Sequence, residues 1–399
     1  MRNYKKVIVS KKGEERIRGN HPWVFEGNIK DFSSDIVDGE IVDVLSEKNK
    51  YLASGFYNSN SKIRVRIISR NTNDKFDYEF FKRRVSYAIN YRLDVIDKDN
   101  LNSFRVIYGE SDEMPGLTVD KFDDVLVVEV LSLGIEKRKD DIYKALIEVF
   151  KEKGFNITGI YERSESPIRE KEGLNSCKGW YLESPNNETK RIIVENGIKY
   201  VVDFENGQKT GFFLDQKYNR LRVRRLSKDK RVLDCCTHTG SFAMNAYLGG
   251  ATSISALDVS SKALNDAKEN FKLNNMNIDT ILSDAFDYLE GVKKNTYDFI
   301  ILDPPAFTKS RNTVASALKG YQRLNYLAMK ALPRGGFLAT ASCSHFATEK
   351  DFMDSIRKAS IEADVKLKLV SATGPAPDHP ELICVPETKY LKFFIFQVF

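Results

Sequence analysis

The stretch V-L-D-C-C-T-H-T-G-S-F, residues 232–242, reads as a buried strand that breaks into a turn and then opens a helix. Only Gly240 stands in the turn, so the G-x-G-x-x-G dinucleotide fingerprint is missing. Working outward, strand-like runs alternate with helical ones from about residue 192. Apolar runs fall at 231–235, 253–258, 280–284, 299–303 and 336–342, and helical patterns start at Ser241, Ser260, about Asn312 and Glu349. Two more strand candidates follow at 366–370 and 390–396. This alternation predicts a doubly wound, mainly parallel α/β sheet whose ligand lies beyond the carboxyl ends of its strands.

Those ends carry acids. Asp234 stands in the first strand, Asp258 ends the second 24 residues later, and Asp284 ends the third after 26 more. In such folds the second-strand acid accepts hydrogen bonds from ribose hydroxyls. Nothing basic or glycine-rich stands beside the three to neutralise a polyphosphate, so a nucleoside with a cationic group suits them better. Each aspartate could also be a helix N-cap or a turn residue. The fourth run ends in D-P-P-A-F, 303–307, where consecutive prolines fix φ and stiffen the loop that holds Asp303 and Phe307. An aromatic held in this way can stack on a flipped base while the acid addresses the base's polar edge.

Upstream the grammar differs. Short alternating runs at 7–9, 40–45, 51–57 and 63–68, punctuated by Gly39, Gly55, Asn58 and Asn60, predict a small β domain. After a polar connector at 70–75 come a helix around 80–93, strands at 104–108, 117–119 and 125–131, a helix over 137–151 and a strand at 159–161. This second unit reads as α+β. With 42% apolar and 30% charged residues over 399 positions, the chain is neither disordered nor fibrous. Its longest apolar stretch, around 125–133, is too short to span a bilayer and is broken by Glu129, and no secretory signal is evident. Five cysteines without paired spacing argue against a disulfide framework or a zinc knuckle and fit a reducing cytoplasm.

Residues 200–345 resemble a class I S-adenosylmethionine-dependent methyltransferase. The likeness rests on G-F-F-L-D-Q (211–216), L-D-x-x-T-x-T-G-x-F (233–242), Asp258, Asp284, D-P-P-A-F (303–307) and A-S-C-S-H (341–345). The set is similar to that of bacterial 23S ribosomal RNA cytosine-5 methyltransferases with an N-terminal PUA domain. H-P-W-V-F (21–25), E-R-S-E-S-P-I-R (162–169) and D-H-P (378–380) extend the resemblance along nearly the whole chain. It implies a multi-domain α/β fold: a β-rich PUA-like RNA-binding domain at 1–72, a central α+β domain at 73–190, and a seven-stranded Rossmann-like methyltransferase domain at 191–399. It implies S-adenosylmethionine as cofactor, with its methionine end near the 234–240 turn, its ribose on Asp258 and its adenine beside Asp284. Thr239, Gly240, Phe242, Ala285 and Asp303 would complete this site, and G-F-F-L-D-Q, with Phe212, Asp215, Gln216 and Arg220 behind it, resembles a cofactor-side lid. Pro304, Pro305, Phe307 and Lys309 would face the substrate RNA, and no metal is called for. The implied partner is 23S rRNA or a large-subunit precursor in the cytoplasm, away from membranes, with a homodimer suggested by family analogy alone. The chain departs from the family in its C-C-T-H at 235–238, where relatives tend to carry bulkier residues, and the adjacent cysteines read as core packing.

Cytosine C5 is too weak a nucleophile to take a methyl group until a thiolate adds at C6, so a cytosine-5 enzyme needs a cysteine at the base. Cys343, after the fifth strand, fills that role in the family pattern, with Asp303 hydrogen-bonding cytosine N3; a buried strand-end cysteine is the bland alternative. The place of a second cysteine in larger families holds Pro305 and Ala306, which fits a single-cysteine type. His345 is a candidate for removing the C5 proton or simply a structural residue. The segment 217–231 has eight basic residues and one acid, and as a helix would present Arg220, Arg224 and Lys228 as a phosphate track, a contact to the cofactor carboxylate or a solvated face. The leading expectation is cytosine-C5 methylation of rRNA. The alternatives are guanine-nitrogen methylation without a cysteine and a non-catalytic RNA-binding protein, and transfer RNA is a further substrate class.

Overall fold

Strands that are apolar on both faces need helices on both sides, and the carboxyl-terminal half of the chain meets this with a seven-stranded sheet. The computed structural model describes residues 3–308 and 310–399. The strands are β1 (Arg231–Cys235), β2 (Ser253–Asp258), β3 (Asp279–Leu282), β4 (Phe299–Leu302), β5 (Phe337–Ser342), β6 (Leu367–Thr373) and β7 (Lys392–Val398). Their order is β3-β2-β1-β4-β5-β7-β6. Strands β1 to β5 are parallel, while β7 runs antiparallel to β5 and β6. The helices are α1 (Lys217–Leu226), α2 (Ser241–Leu248), α3 (Ser261–Leu273), α4 (Ala285–Gly291), α5 (Val314–Ala331) and α6 (Glu349–Glu362). Leu233, Ile300, Leu302, Tyr321, Leu338, Phe352 and Phe394 are among the residues of one core.

The chain winds outward from β1 to β3 and then returns to β4 on the other side of β1. That reversal is the switch point where α/β sheets open a crevice for ligands. Asp234 on β1 lies opposite Ile301 of β4, and Cys235 opposite Leu302. Helix starts follow the capping rules: Ser260 accepts from the Ala263 N–H, and Thr348 and Asp351 cap α6 reciprocally.

The chain forms two compact units. The second comprises Val194–Val201, Asp215–Ala376 and Lys389–Phe399; the first holds the rest. Within the first, a six-stranded sheet runs in the order Trp23–Phe25, Ile63–Ser69, Tyr51–Tyr57, Ile41–Ser46, Lys5–Val9, Ile29–Phe32. Val7, Val24, Val42, Val44 and Val65 fill its core. A five-stranded sheet, Cys177–Leu182, Gly159–Ser164, Val125–Val130, Leu117–Phe122, Ser103–Tyr108, packs with helices Tyr78–Val95 and Lys139–Glu152 around Phe80, Phe104, Leu146 and Phe150. Pro377–Thr388, far along the chain, also belongs to this unit. There the buried Asp378 accepts from the Arg105 N–H at 3.0 Å and, through its carbonyl, from Arg92 at 2.9 Å. Among the described residues no helix is long and apolar enough to cross a membrane.

Candidate active site

The turn after β1 is built from left-handed backbone. Cys236, His238 and Gly240 have φ of +60°, +52° and +79°. Only glycine adopts this region without cost, and a Cβ at Gly240 would run into the Phe271 ring of α3. Gly240→Ala is therefore expected to destabilise the second unit by about 2 kcal/mol or more, read as a lowered urea midpoint. An unchanged midpoint would remove this account of the turn. Cys235 is fully buried in the core and Cys236 packs against it, as core packing requires.

Four carboxylates surround this turn. Asp234 is fully buried; its Oδ2 accepts from Thr237 Oγ1 at 2.6 Å and from the Ala243 N–H at 3.0 Å. Its Oδ1 has no hydrogen-bond partner among the described residues. Asp258 accepts from the His238 and Ser260 N–H groups, both at 2.9 Å. Asp284 is exposed and caps α4 through the Phe286 and Asp287 N–H groups, so it is an N-cap as well as a strand-end acid. After burial, the influences that push the Cys236 thiol up are Asp258, Asp303, Asp234 and Asp284, which places all four acids around one side chain. Burial pushes the His238 imidazole down, so it adds no cation at ordinary pH.

Burial, with Asp303 and Asp258 nearby, pushes Asp234 up to about 7. An acid whose folded value lies above its unfolded value of about 3.9 stabilises the fold fully only below that value. Its contribution is lost as pH rises toward and through about 7. Asp234→Asn keeps an acceptor for Thr237 and Ala243 but cannot ionise. The variant should exceed wild type in stability by on the order of 1–3 kcal/mol at pH 8. In urea titrations from pH 5 to 8, the gap should widen up to about pH 7 and then level off. A gap independent of pH would contradict this reading of Asp234.

Beyond β4, Asp303 accepts from Gln216 Nε2 at 3.0 Å. Gln216 in turn accepts from Asn219 Nδ2 at 2.7 Å, and Asn219 is held by Gly374 and Thr373. Gln216, one of the residues expected near the cofactor, thus holds the Asp303 carboxylate. In the β4–β5 register Leu302 lies opposite Thr340, so Asp303 and Cys343 leave the same sheet edge one and three residues beyond that pair. Ser344 Oγ donates to the Thr308 carbonyl at 3.3 Å and ties the two loops together. The buried Tyr321 senses both Cys343 and Asp303 electrostatically and packs against Phe307, with ring centroids 4.6 Å apart and planes tilted by 34°. Cys343 is half-buried, Pro304 is buried, Pro305 is exposed and His345 is exposed beside the Tyr390 ring. Lys309 lies outside the described residues.

Phe212 is buried and belongs to the first unit. Asp215 is an anchor, accepting from Tyr390 Oη at 2.6 Å and, through its carbonyl, from the Ala376 N–H at 2.7 Å. The phosphate track on α1 does not form: Arg220 is 2% exposed and bonded at 2.6 Å to the fully buried Glu195. Arg224 donates to Asn245 and to the Asn196 carbonyl, leaving Lys228 exposed. Among the turn residues Thr239 is nearly buried, and Phe242 stacks on Phe393 at 5.8 Å with planes 2° apart. Ala285 is buried at the start of α4. Sequence reasoning missed Glu195, Tyr321 and Lys392; a lysine inside the apolar run 390–396 was the available signal for the last.

A left-handed turn at the switch point with acids at successive strand ends suits an adenosine that carries positive charge. S-adenosylmethionine has an ammonium and a sulfonium on such a frame, and the unpartnered Asp234 Oδ1 agrees with that charge. Residues 167–395 match the S-adenosylmethionine-dependent methyltransferase family and residues 7–70 match a PUA-like domain. The chain belongs to the family of S-adenosylmethionine-dependent methyltransferases that carry an N-terminal PUA-like domain. It is 35% identical to Ribosomal RNA large subunit methyltransferase I of Klebsiella pneumoniae (strain 342), over 99% of this chain and 98% of that protein. The protein of the same name from Escherichia coli O157:H7 is also 35% identical, over 98% and 99%. Among solved structures, SMU.776 complexed with SAH superposes with a TM-score of 0.82 at 21% identity, covering 98% of this chain and 99% of that one. A Streptococcus mutans chain gives 0.80 at 21% identity with the same coverage.

Proposed function

We propose that the chain methylates C5 of a cytosine in large-subunit ribosomal RNA, with Cys343 as nucleophile and Asp303 as the acid that orients the base. The observation that carries the reading is the convergence of a half-buried cysteine and a hydrogen-bonded aspartate on one sheet edge, joined through Ser344 and Thr308. The names of relatives at 35% identity support the RNA class, and the PUA-like domain at the N-terminus would add an RNA-docking surface. An rRNA substrate puts the enzyme in the cytoplasm.

Asp234, Thr239, Gly240, Phe242, Asp258, Asp284 and Ala285 would hold the cofactor around the turn. When bound, S-adenosylmethionine supplies an electrophilic methyl carbon. The Cys343 thiolate adds to C6, forming an S–C6 bond, while the C5=C6 pair shifts toward C5 and N3 takes the proton that the thiol gave up. The Asp303 carboxylate accepts a hydrogen bond from the protonated N3, and Gln216 keeps it aimed. C5 then carries the electron pair that takes the methyl group. Loss of the C5 proton to water re-forms C5=C6 and expels the thiolate, which takes back the N3 proton. Phe307, backed by Tyr321, offers a face on which the extruded base stacks.

The test is product analysis. Large-subunit RNA from unmodified ribosomes is incubated with methyl-labelled S-adenosylmethionine and digested to nucleosides. Label in 5-methylcytidine is the expected result; label in a methylated guanosine, or in no nucleoside, overturns the reading.

A further inference from the structure

Lys392 lies near the start of β7, paired with Ser342, the residue before Cys343. It is 3% exposed at the head of the apolar run Phe393–Phe396, an expensive place for an ammonium without partners. Its Nζ donates to three carbonyls: Ser344 at 2.6 Å, Ala347 at 2.8 Å and Tyr390 at 2.8 Å. Three acceptors match the three protons of an ammonium, whereas an amine would turn its lone pair toward a carbonyl. Two of the carbonyls belong to the loop that follows Cys343, so the side chain both pins that loop and sets a positive charge beneath it.

We propose that Lys392 is the positioning residue of the Cys343 nucleophile, clamping the 343–347 loop and favouring the thiolate by its charge. This rests on the reading of Cys343 as nucleophile. Burial pushes Lys392 down to about 8, and among its charged neighbours Cys343 acts most strongly to hold it protonated. The other groups acting on it are Glu349 and Asp351 of α6, which support the charge, and Lys389, which opposes it. Glu349 and Lys389 are themselves paired at 2.6 Å, so their effects largely offset each other. Tyr321 of α5 is a further titratable group that interacts electrostatically with Cys343. A nearby cation lowers a thiol's pKa and so raises its thiolate fraction at neutral pH.

The experiment is the pH dependence of Cys343 alkylation by iodoacetamide, followed on the Cys343 peptide by mass spectrometry. In wild type the midpoint should lie below the ordinary thiol value of about 8.5. In Lys392→Met it should rise by about one pH unit or more, and Lys392→Arg should restore most of the shift. A Lys392→Met protein that binds S-adenosylhomocysteine normally but keeps the wild-type midpoint overturns the proposal. So does a wild-type midpoint at or above the ordinary thiol value, which needs no folded variant. Alkylation requires no methyl transfer, so a failure here is distinct from a failure of Cys343 as catalyst, which is read from the activity of Cys343→Ala.

Discussion

Cys343→Ala should bind S-adenosylmethionine as wild type does and yet form product slower by on the order of 10³-fold or more. The side chain is small, half-buried and outside the hydrophobic core, so its loss leaves little cavity and the fold should persist. Without the thiolate no electron pair develops at C5, and the remaining groups only position an unreactive base. Single-turnover methyl transfer, measured beside calorimetric cofactor binding, separates the two effects. A variant retaining more than about a tenth of the wild-type rate would show that Cys343 is not the nucleophile, because loss of a covalent nucleophile costs far more than tenfold.

Asp303→Asn should lower kcat by about 10²- to 10⁴-fold with little change in KM for the cofactor. The substitution keeps an oxygen for Gln216 Nε2, so the loop geometry survives. What it removes is the negative charge that stabilises a protonated N3 as the thiolate adds. An asparagine can also present its NH2 to N3, which favours the unprotonated base. A substitution that instead raises KM for the cofactor at constant kcat would assign Asp303 to the adenosine side of the site.

The methyltransferase half was legible because its signals are local. Buried parallel strands give short apolar runs, and 231–235 and 253–258 emerge with the bounds expected. The expected 366–370 and 390–396 become Leu367–Thr373 and Lys392–Val398; the first is a half-exposed edge strand, which blurs its pattern. In the first unit, Ile29–Phe32 and Cys177–Leu182 escaped notice as edge strands largely open to solvent. The hairpin Lys190–Glu195/Ile198–Asp203 escaped too, although Asn196-Gly197 at its turn, both left-handed, is a strong local hairpin signal.

Within the site, the acids, the turn and the rigid loop could be named from sequence because each sits at a strand end. Arg220 could not be assigned: its spacing with Arg224 and Lys228 suggests a surface, but its partner Glu195 lies 25 residues away on a separate hairpin. Buried ion pairs between distant segments leave no periodic trace. For the same reason the bond of Gln216 to Asp303, 87 residues on, leaves no trace in the sequence. Lys392 is the mirror case, a charge in an apolar run whose purpose appears only when three carbonyls close around it.

The most direct test of the central claim is covalent trapping. Large-subunit RNA carrying 5-fluorocytidine is incubated with the enzyme and S-adenosylmethionine, then resolved under denaturing conditions. Fluorine at C5 cannot leave as a proton, so a thiolate added at C6 stays bound after methyl transfer. The account predicts a protein–RNA adduct whose cross-linked peptide contains Cys343 and which is absent in Cys343→Ala. No adduct from an enzyme that methylates the unsubstituted RNA, or an adduct that persists in Cys343→Ala, would contradict it.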